Sequence, residues 1–166
     1  QAGEEWDAKI NYLEEKKQLG TAGSLSLINN IPKIPFIVQN GDLLTNLDYE
    51  KLINYHIESK SFATMVTHKQ SFEIPYGVVN TKKKDIRSLE EKPSYEILVN
   101  AGIYVFSPEA INLVPKNEYI DMPDFFNSLI NLGKSVKAYM LNDLWLDVGN
   151  LNEFKKAQKI WINKKF

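Results

Sequence analysis

Phe36-Ile37-Val38-Gln39-Asn40-Gly41-Asp42 opens on three consecutive apolar residues and ends in turn chemistry. An unbroken apolar run of this kind marks a strand buried on both faces. Downstream, Asp48 suits a helix N-cap, and Leu52, Ile53 and Ile57 make an apolar stripe on the helix it would start. Ala63 to Thr67 is then a second buried strand. Strand, helix and strand in that order indicate a βαβ unit, hence a parallel sheet with helices on its faces.

The pattern changes after Thr67. Gly77-Val78-Val79-Asn80 and Ile86-Arg87-Ser88-Leu89 flank the polar segment 81–85 and predict a hairpin, with Lys82-Lys83-Lys84 as a solvated tip. Val99 to Phe106 reads as another strand. Pro123 belongs in the first turn of a helix that buries Phe125, Phe126, Leu129 and Ile130, with Gly133 at its C-terminal cap. Val136 to Leu141 is a strand, and a last helix after Asn150 places Phe154, Ala157 and Trp161 on one face. Towards the start, Lys9 to Leu13 alternates, and Gly20-Thr21-Ala22-Gly23 opens a helix through Ile28. No internal repeat or low-complexity tract interrupts the sequence, so a single mixed α/β domain over 1–166 is expected.

Bulk composition narrows the chemistry. The net charge of −1 creates no field to gather nucleic acid or an acidic membrane, so neither partner is expected. An anionic ligand must instead be held by a few placed groups or by metal. With no cysteine, disulfides and thiolate zinc sites are excluded. No apolar run approaches the roughly 18 residues of a membrane span, and no basic-then-apolar leader is seen, so a cytoplasmic protein is expected. The opening Gln1-Ala2-Gly3-Glu4-Glu5-Trp6 lacks an initiator Met and reads like the middle of a surface loop, which suggests a piece of a longer chain.

Four segments could carry chemistry. In Asn40-Gly41-Asp42 a carboxylate follows a buried strand, where open α/β sheets bind ligands; the same tripeptide is also strong turn chemistry. Trp145-Leu146-Asp147-Val148-Gly149-Asn150 again joins an acid and a glycine before a helix, and reads either as a second metal carboxylate or as a helix cap. In Glu90-Glu91-Lys92-Pro93 the proline pins a lysine that could meet a phosphate, although a charged loop leaving a sheet is the plainer reading. Leu19-Gly20-Thr21-Ala22-Gly23-Ser24 could present backbone amides to a nucleobase or anion, as many ordinary helix starts could. His56, within the helix after Asp48, and His68, at the end of the second strand, have no partner at ligand spacing and read as structural. Rossmann, P-loop and nucleophile-elbow patterns are absent.

Taken in order, Leu19-Gly20-Thr21-Ala22-Gly23, Asn40-Gly41-Asp42, Tyr76-Gly77-Val78-Val79, Glu90-Glu91-Lys92-Pro93, Asn100-Ala101-Gly102-Ile103-Tyr104 and Trp145-Leu146-Asp147-Val148-Gly149 resemble the sugar-1-phosphate nucleotidyltransferases. That group includes mannose-1-phosphate guanylyltransferases and glucose-1-phosphate thymidylyltransferases. The resemblance implies a Rossmann-like nucleotidyltransferase fold, with a mixed, mainly parallel central sheet and a β-hairpin subregion. It also implies Asp42 and Asp147 as Mg²⁺ carboxylates, and Lys92 as the catalytic cation that holds the sugar phosphate. Gly20, Thr21 and Gly23 would lie near the base, Tyr76 and Gly77 beside the sugar, and Glu91 on its hydroxyls. Asn100, Ala101 and Gly102 would floor the sugar pocket. The partners are then a nucleoside triphosphate and a sugar 1-phosphate.

The family's Gly-x-Gly-Thr-Arg triphosphate loop is missing. No two of the eight glycines are one residue apart, and the sole arginine, Arg87, lies in the hairpin. The expectation is therefore a chain that lacks the first βαβ portion, is inactive by itself, and tends to self-associate through unpaired strand edges. Guanosine is expected ahead of thymidine, cytidine and uridine, with a mannose, heptose or amino-sugar 1-phosphate of surface-polysaccharide synthesis as acceptor. Two alternatives stand beside this reading. One is a glycosyltransferase of similar layout, although Leu43 and Leu44 follow Asp42 where such enzymes often carry Asp-x-Asp. The other is an inactive regulatory module that senses sugar phosphate or nucleotide.

Overall fold

The computed structural model describes residues 3, 5, 7–142 and 144–163, the side chains of 161–163 excepted. Gln1, Ala2, Glu4 and Trp6 of the opening segment lie outside the described residues. In chain order the elements are α1 (Gly20–Gly23), β1 (Phe36–Gln39), β2 (Leu43–Thr45), α2 (Tyr49–Glu58), β3 (Ala63–Glu73), β4 (Gly77–Lys82), β5 (Asp85–Glu91), β6 (Ser94–Phe106), α3 (Met122–Asn131), β7 (Val136–Leu141), β8 (Trp145–Asp147) and α4 (Leu151–Asn163). Two 3₁₀ turns, Ser24–Leu27 and Pro108–Leu113, complete them. No helix among the described residues is long and apolar enough to cross a membrane.

A mixed, mostly parallel four-stranded sheet runs in the order β1-β6-β3-β7. The strand-helix-strand unit β1-α2-β3 is present, but β6 lies between its two strands. Strand β6 accounts for the mixing. Lys69 pairs with Glu96, Ser71 with Ser94, and the Ile74 N–H donates to Pro93 O at 2.9 Å. As one number rises the other falls, so β3 and β6 run antiparallel there. Both strands outgrow their expected spans, Ala63–Thr67 and Val99–Phe106. Each is buried at one end and exposed at the other; the exposed end of β3 is mostly polar, whereas that of β6 holds Tyr95, Ile97 and Leu98 exposed, apolar residues that the expected start at Val99 leaves out. His68 therefore sits inside β3, not at its end. Between these strands the hairpin forms as expected, with Gly77 opposite Glu91, Lys82 opposite Asp85, and Lys83 at the turn with φ 58°.

The chain folds into two compact units, one of residues 1–37, 53–64 and 105–137, the other of 38–52, 65–104 and 138–166. In the first, Phe106 is fully buried, with its ring 6.0 Å from Phe36, 5.7 Å from Phe125 and 5.5 Å from Phe126. Helix α3 buries Met122, Phe125, Phe126 and Leu129, a spacing that forms one face of a helix. It ends in a Schellman motif at Gly133 (φ +69°), where Lys134 N–H donates to Leu129 O and Gly133 N–H to Ile130 O. In the second unit Leu47, Leu52, Val66, Ala101, Ile103 and Leu141 are buried.

Several expected burials are corrected. β1 is half-buried, because it sits at the edge of the described sheet with one neighbour. The buried line of α2 is Leu52 and His56, four residues apart; Ile57 lies about 100° round the helix and is 53% exposed. Ile130 and Phe154 fall at the margins of their helices' buried faces and are also exposed. Ala157 is buried on α4, and Trp161 lies outside the described side chains. Lys9 to Leu13 forms no regular element.

His56 earns its place in the core through its neighbours. It is 1% exposed, with Nδ1 2.8 Å from Thr64 Oγ1 and Nε2 3.4 Å from Ser107 Oγ. Burial pushes its pKa below the ordinary 6.5. The folded ring thus resists a proton that the unfolded ring accepts near that value, and the unfolded state binds more protons below it. Stability is full above about pH 6.5 and declines as pH falls towards the folded pKa, by about 1.4 kcal/mol for each unit of depression. The melting temperature should therefore drop between pH 7 and 5, and His56→Gln should flatten that slope. An equally steep slope in the variant assigns the pH sensitivity to other groups.

Candidate functional site

The turn after β1 delivers Asp42 to the start of β2, and β2 pairs antiparallel with β8: Leu43 opposite Asp147, Leu44 opposite Leu146, Thr45 opposite Trp145. Asp42 and Asp147 therefore meet at one end of a three-rung ribbon. The Val148 N–H donates to Asp42 O at 2.8 Å, and the Gly149 N–H to Asp147 Oδ1 at 2.9 Å. A Cβ on Gly149 would stand 3.0 Å from Asp147 Oδ1 and 3.4 Å from Asp42 Oδ2, so both carboxylates border one small space. The helix-cap function belongs to the neighbouring Asn150, whose Oδ1 accepts the N–H groups of Asn152 and Glu153. That leaves the exposed Asp147 carboxylate available.

Asn100-Ala101-Gly102 adjoins this ribbon. Gly102 has φ +72°, and a Cβ there would lie 2.8 Å from Asn40 Nδ2, so this position requires glycine twice over. The Asn40 N–H donates to Gly102 O, and the Gly102 N–H to Asn100 Oδ1, both at 2.9 Å. Asn100 Nδ2 donates to the Tyr104 hydroxyl at 2.7 Å. The Trp145 indole donates to Ala101 O at 2.9 Å, which ties β8 to β6. His68 stacks on Trp145 at 5.1 Å, and its Nδ1 is buried with no hydrogen-bond partner. A groove of about 610 Å³ opens along Trp145, Asp147, Gly149 and Asn150.

At the hairpin base, Gly77 faces Glu91, and a Cβ on Gly77 would come 3.1 Å from Glu91 Oε2. Lys92 follows in the left-handed region with φ 46°, a costly conformation for a residue with a side chain. Pro93 beyond it is buried, and its carbonyl holds Ile74. Tyr76 is 73% exposed. All these residues belong to the second unit.

Gly20, Thr21 and Gly23 belong to the first unit, and the Thr21, Ala22 and Gly23 amides are engaged within the chain. Asp121 Oδ1 accepts the Thr21 N–H at 3.0 Å, and Ile120 O accepts those of Ala22 and Gly23. The Thr21 hydroxyl accepts the Met122 N–H and donates to Asp121. Hydrogen bonds from Thr21 and Tyr119 hold the Asp121 carboxyl below its usual pKa. The turn is thus clasped to the start of α3, and these amides do not point free at a ligand.

Asn40, Trp145 and Gly149 carry no role legible in the sequence: each is an amide, ring or glycine beside an acid or a strand end, and only the pairing of distant segments shows what it touches.

A sequence model of the nucleotidyl transferase family matches residues 1–164. The chain is 32% identical over 152 residues to a UTP–glucose-1-phosphate uridylyltransferase of Synechocystis, covering 85% of this chain and 39% of that protein. It is 30% identical over 166 residues to mannose-1-phosphate guanyltransferase 2 of Candida glabrata, covering 95% of this chain and 46% of that one. The chain thus spans less than half the length of these two relatives. A solved Bacillus anthracis structure assigned as a glucose-1-phosphate thymidylyltransferase superposes with a TM-score of 0.66 at 18% identity, over 92% of this chain and 65% of that one. That likeness shows a shared Rossmann-like α/β fold.

Proposed function

This chain belongs to the nucleotidyl transferase family, and we propose that the whole protein transfers a nucleotidyl group from a nucleoside triphosphate to a sugar 1-phosphate. The observation that carries the reading is the meeting of Asp42 and Asp147 across the β2–β8 ribbon, with Gly149 leaving the space beside them open. Two carboxylates suit Mg²⁺, which binds substrate phosphates through one or two protein acids and keeps waters elsewhere. No larger group of metal-ligating side chains occurs among the described residues. When bound, the ion would supply charge neutralisation and a template for in-line attack.

The remaining work falls to the chain. Lys92 holds the sugar phosphate by point charge, from a backbone conformation that the surrounding turn imposes. Glu91 accepts sugar hydroxyls, and Gly77 opposite it leaves room for the ring, with Tyr76 at the border. Asn100, Ala101 and Gly102 form a floor fixed by its own hydrogen bonds. Gly20, Thr21 and Gly23 are assigned to the base, with Thr21 and Gly23 offering surface rather than amide donors, since those two amides are taken. A sugar-phosphate oxygen forms a bond to the α-phosphorus as the bond from that phosphorus to the bridging oxygen breaks, and pyrophosphate leaves. The phosphate is already an anion at neutral pH, so no strong base is required; positioning and neutralisation supply the catalysis.

We assign guanosine as the base and a mannose, heptose or amino sugar as the acceptor, supported by the guanyltransferase relative. Surface-polysaccharide synthesis in the cytoplasm is the setting such substrates suit. Residues 1–166 alone are proposed to be inactive, because no Gly-x-Gly-Thr-Arg loop occurs among them.

The test is pyrophosphate release by the full-length protein across the four nucleoside triphosphates and a panel of sugar 1-phosphates, with GTP expected to be fastest. Sugar transfer from a nucleotide sugar without pyrophosphate release would replace this reading with a glycosyltransferase. Binding without turnover would support a regulatory module. In the active protein, Lys92→Ala should raise the KM for sugar phosphate by roughly 10–100-fold, the worth of a charged hydrogen bond of about 1.5–3 kcal/mol. The nucleotide KM should change far less. Equal rises in both would show that Lys92 is not the sugar-phosphate anchor.

A further inference from the structure

We propose that Gly149 is a positioning residue whose missing Cβ keeps the space between Asp42 and Asp147 open for a divalent cation. This rests on reading the two aspartates as a metal pair. Glycine can be required for two separate reasons, conformation or room, and the chain illustrates both. Gly20, Gly102 and Gly133 have φ of +77°, +72° and +69°, so their backbones demand glycine. The φ of Gly149 lies outside that left-handed region, so a side chain there meets no comparable backbone strain. What a side chain would meet is the two carboxylates, 3.0 Å from Asp147 Oδ1 and 3.4 Å from Asp42 Oδ2.

An ion held by both acids sits about 2.0–2.1 Å from each ligand oxygen and needs further waters or phosphate oxygens around it. A methyl group this close to both acids takes up that coordination space and offers no ligand in return. The Gly149 N–H also donates to Asp147 Oδ1, fixing the direction of that carboxylate. Alanine keeps this N–H, so Gly149→Ala adds a methyl that crowds Asp147 Oδ1 without deleting the donor that orients it. Valine would remove more.

The experiment titrates Mn²⁺ into the full-length protein, followed by electron paramagnetic resonance of the free ion, for wild type, Gly149→Ala, Gly149→Val and Asp42→Asn. Gly149→Ala should weaken Mn²⁺ at least tenfold, in the range seen when groups supporting a metal site are altered, and Gly149→Val should weaken it more. Melting temperature without Mn²⁺ should match wild type in Gly149→Ala. If Gly149→Ala binds as wild type while Asp42→Asn loses the ion, the role of Gly149 is wrong and the metal pair stands. If Asp42→Asn binds as wild type, the metal pair itself is wrong. A Gly149→Ala protein that melts far below wild type before any Mn²⁺ is added also overturns the inference, since the glycine would then serve folding.

Discussion

Asp42→Asn or Asp147→Asn in the full-length protein is expected to slow pyrophosphate release by at least about 10³-fold. A divalent ion supplies several kcal/mol of charge stabilisation in a phosphoryl-type transition state, and each 1.36 kcal/mol is a factor of ten. Asparagine keeps the size of the side chain and, at position 147, an oxygen to accept the Gly149 N–H. Both aspartates are exposed, so circular dichroism and melting temperature should stay near wild type. The double variant should be little worse than the poorer single one, because two groups that serve one ion, as proposed, have losses that do not add. Raising Mg²⁺ should recover part of the rate in each single variant. Normal turnover in either variant would remove the metal assignment.

The largest loss of stability is expected from Phe106→Ala, at about 3–5 kcal/mol. The side chain is fully buried, and its ring lies 5.5–6.0 Å from Phe36, Phe125 and Phe126. These three come from β1 and α3, so no single neighbour can move in to fill the gap. Set against the 5–15 kcal/mol of an ordinary domain, this is a large share of total stability. Urea unfolding should show a lower midpoint with an unchanged slope. Phe106→Leu should lose less, because a smaller void remains. A midpoint within experimental error of wild type for Phe106→Ala would place the core of this unit elsewhere.

How legible each part was in the sequence follows from how local its cause is. Helix α3 and the β4–β5 hairpin were readable because Pro123, Gly133 and the polar 81–85 segment punctuate the chain at the right places. The outer ends of β3 and β6 were not readable. They are paired strands with solvent beside them: the outer end of β3 is mostly polar, and Tyr95, Ile97 and Leu98 of β6 are apolar yet exposed, so the apolar pattern does not track burial at either end. His56 reads as structural in the sequence because no partner stands at ligand spacing; Thr64 and Ser107, which make its burial tolerable, are contributed by other parts of the fold and are not legible there. In the site, the resemblance named Asp42 and Asp147. Their meeting depends on β2 and β8, each of three residues and too short to show alternation. Gly149 illustrates the same limit, since what its absent side chain would touch is visible only in three dimensions. The acceptors of the Thr21, Ala22 and Gly23 amides are not legible in the sequence because they lie about a hundred residues downstream.

The β2–β8 ribbon also fixes when the site can exist. Asp42 leaves the ribosome early and Asp147 late, with both strands of the hairpin and the whole of α3 between them. A nascent chain that has not yet made β8 carries a lone acid on an unpaired strand, and it cannot gather a divalent ion through two side chains. On the proposed metal reading, the pair of acids is therefore complete only after nearly all of these residues have been synthesised and the most distant of the described strand pairings has closed.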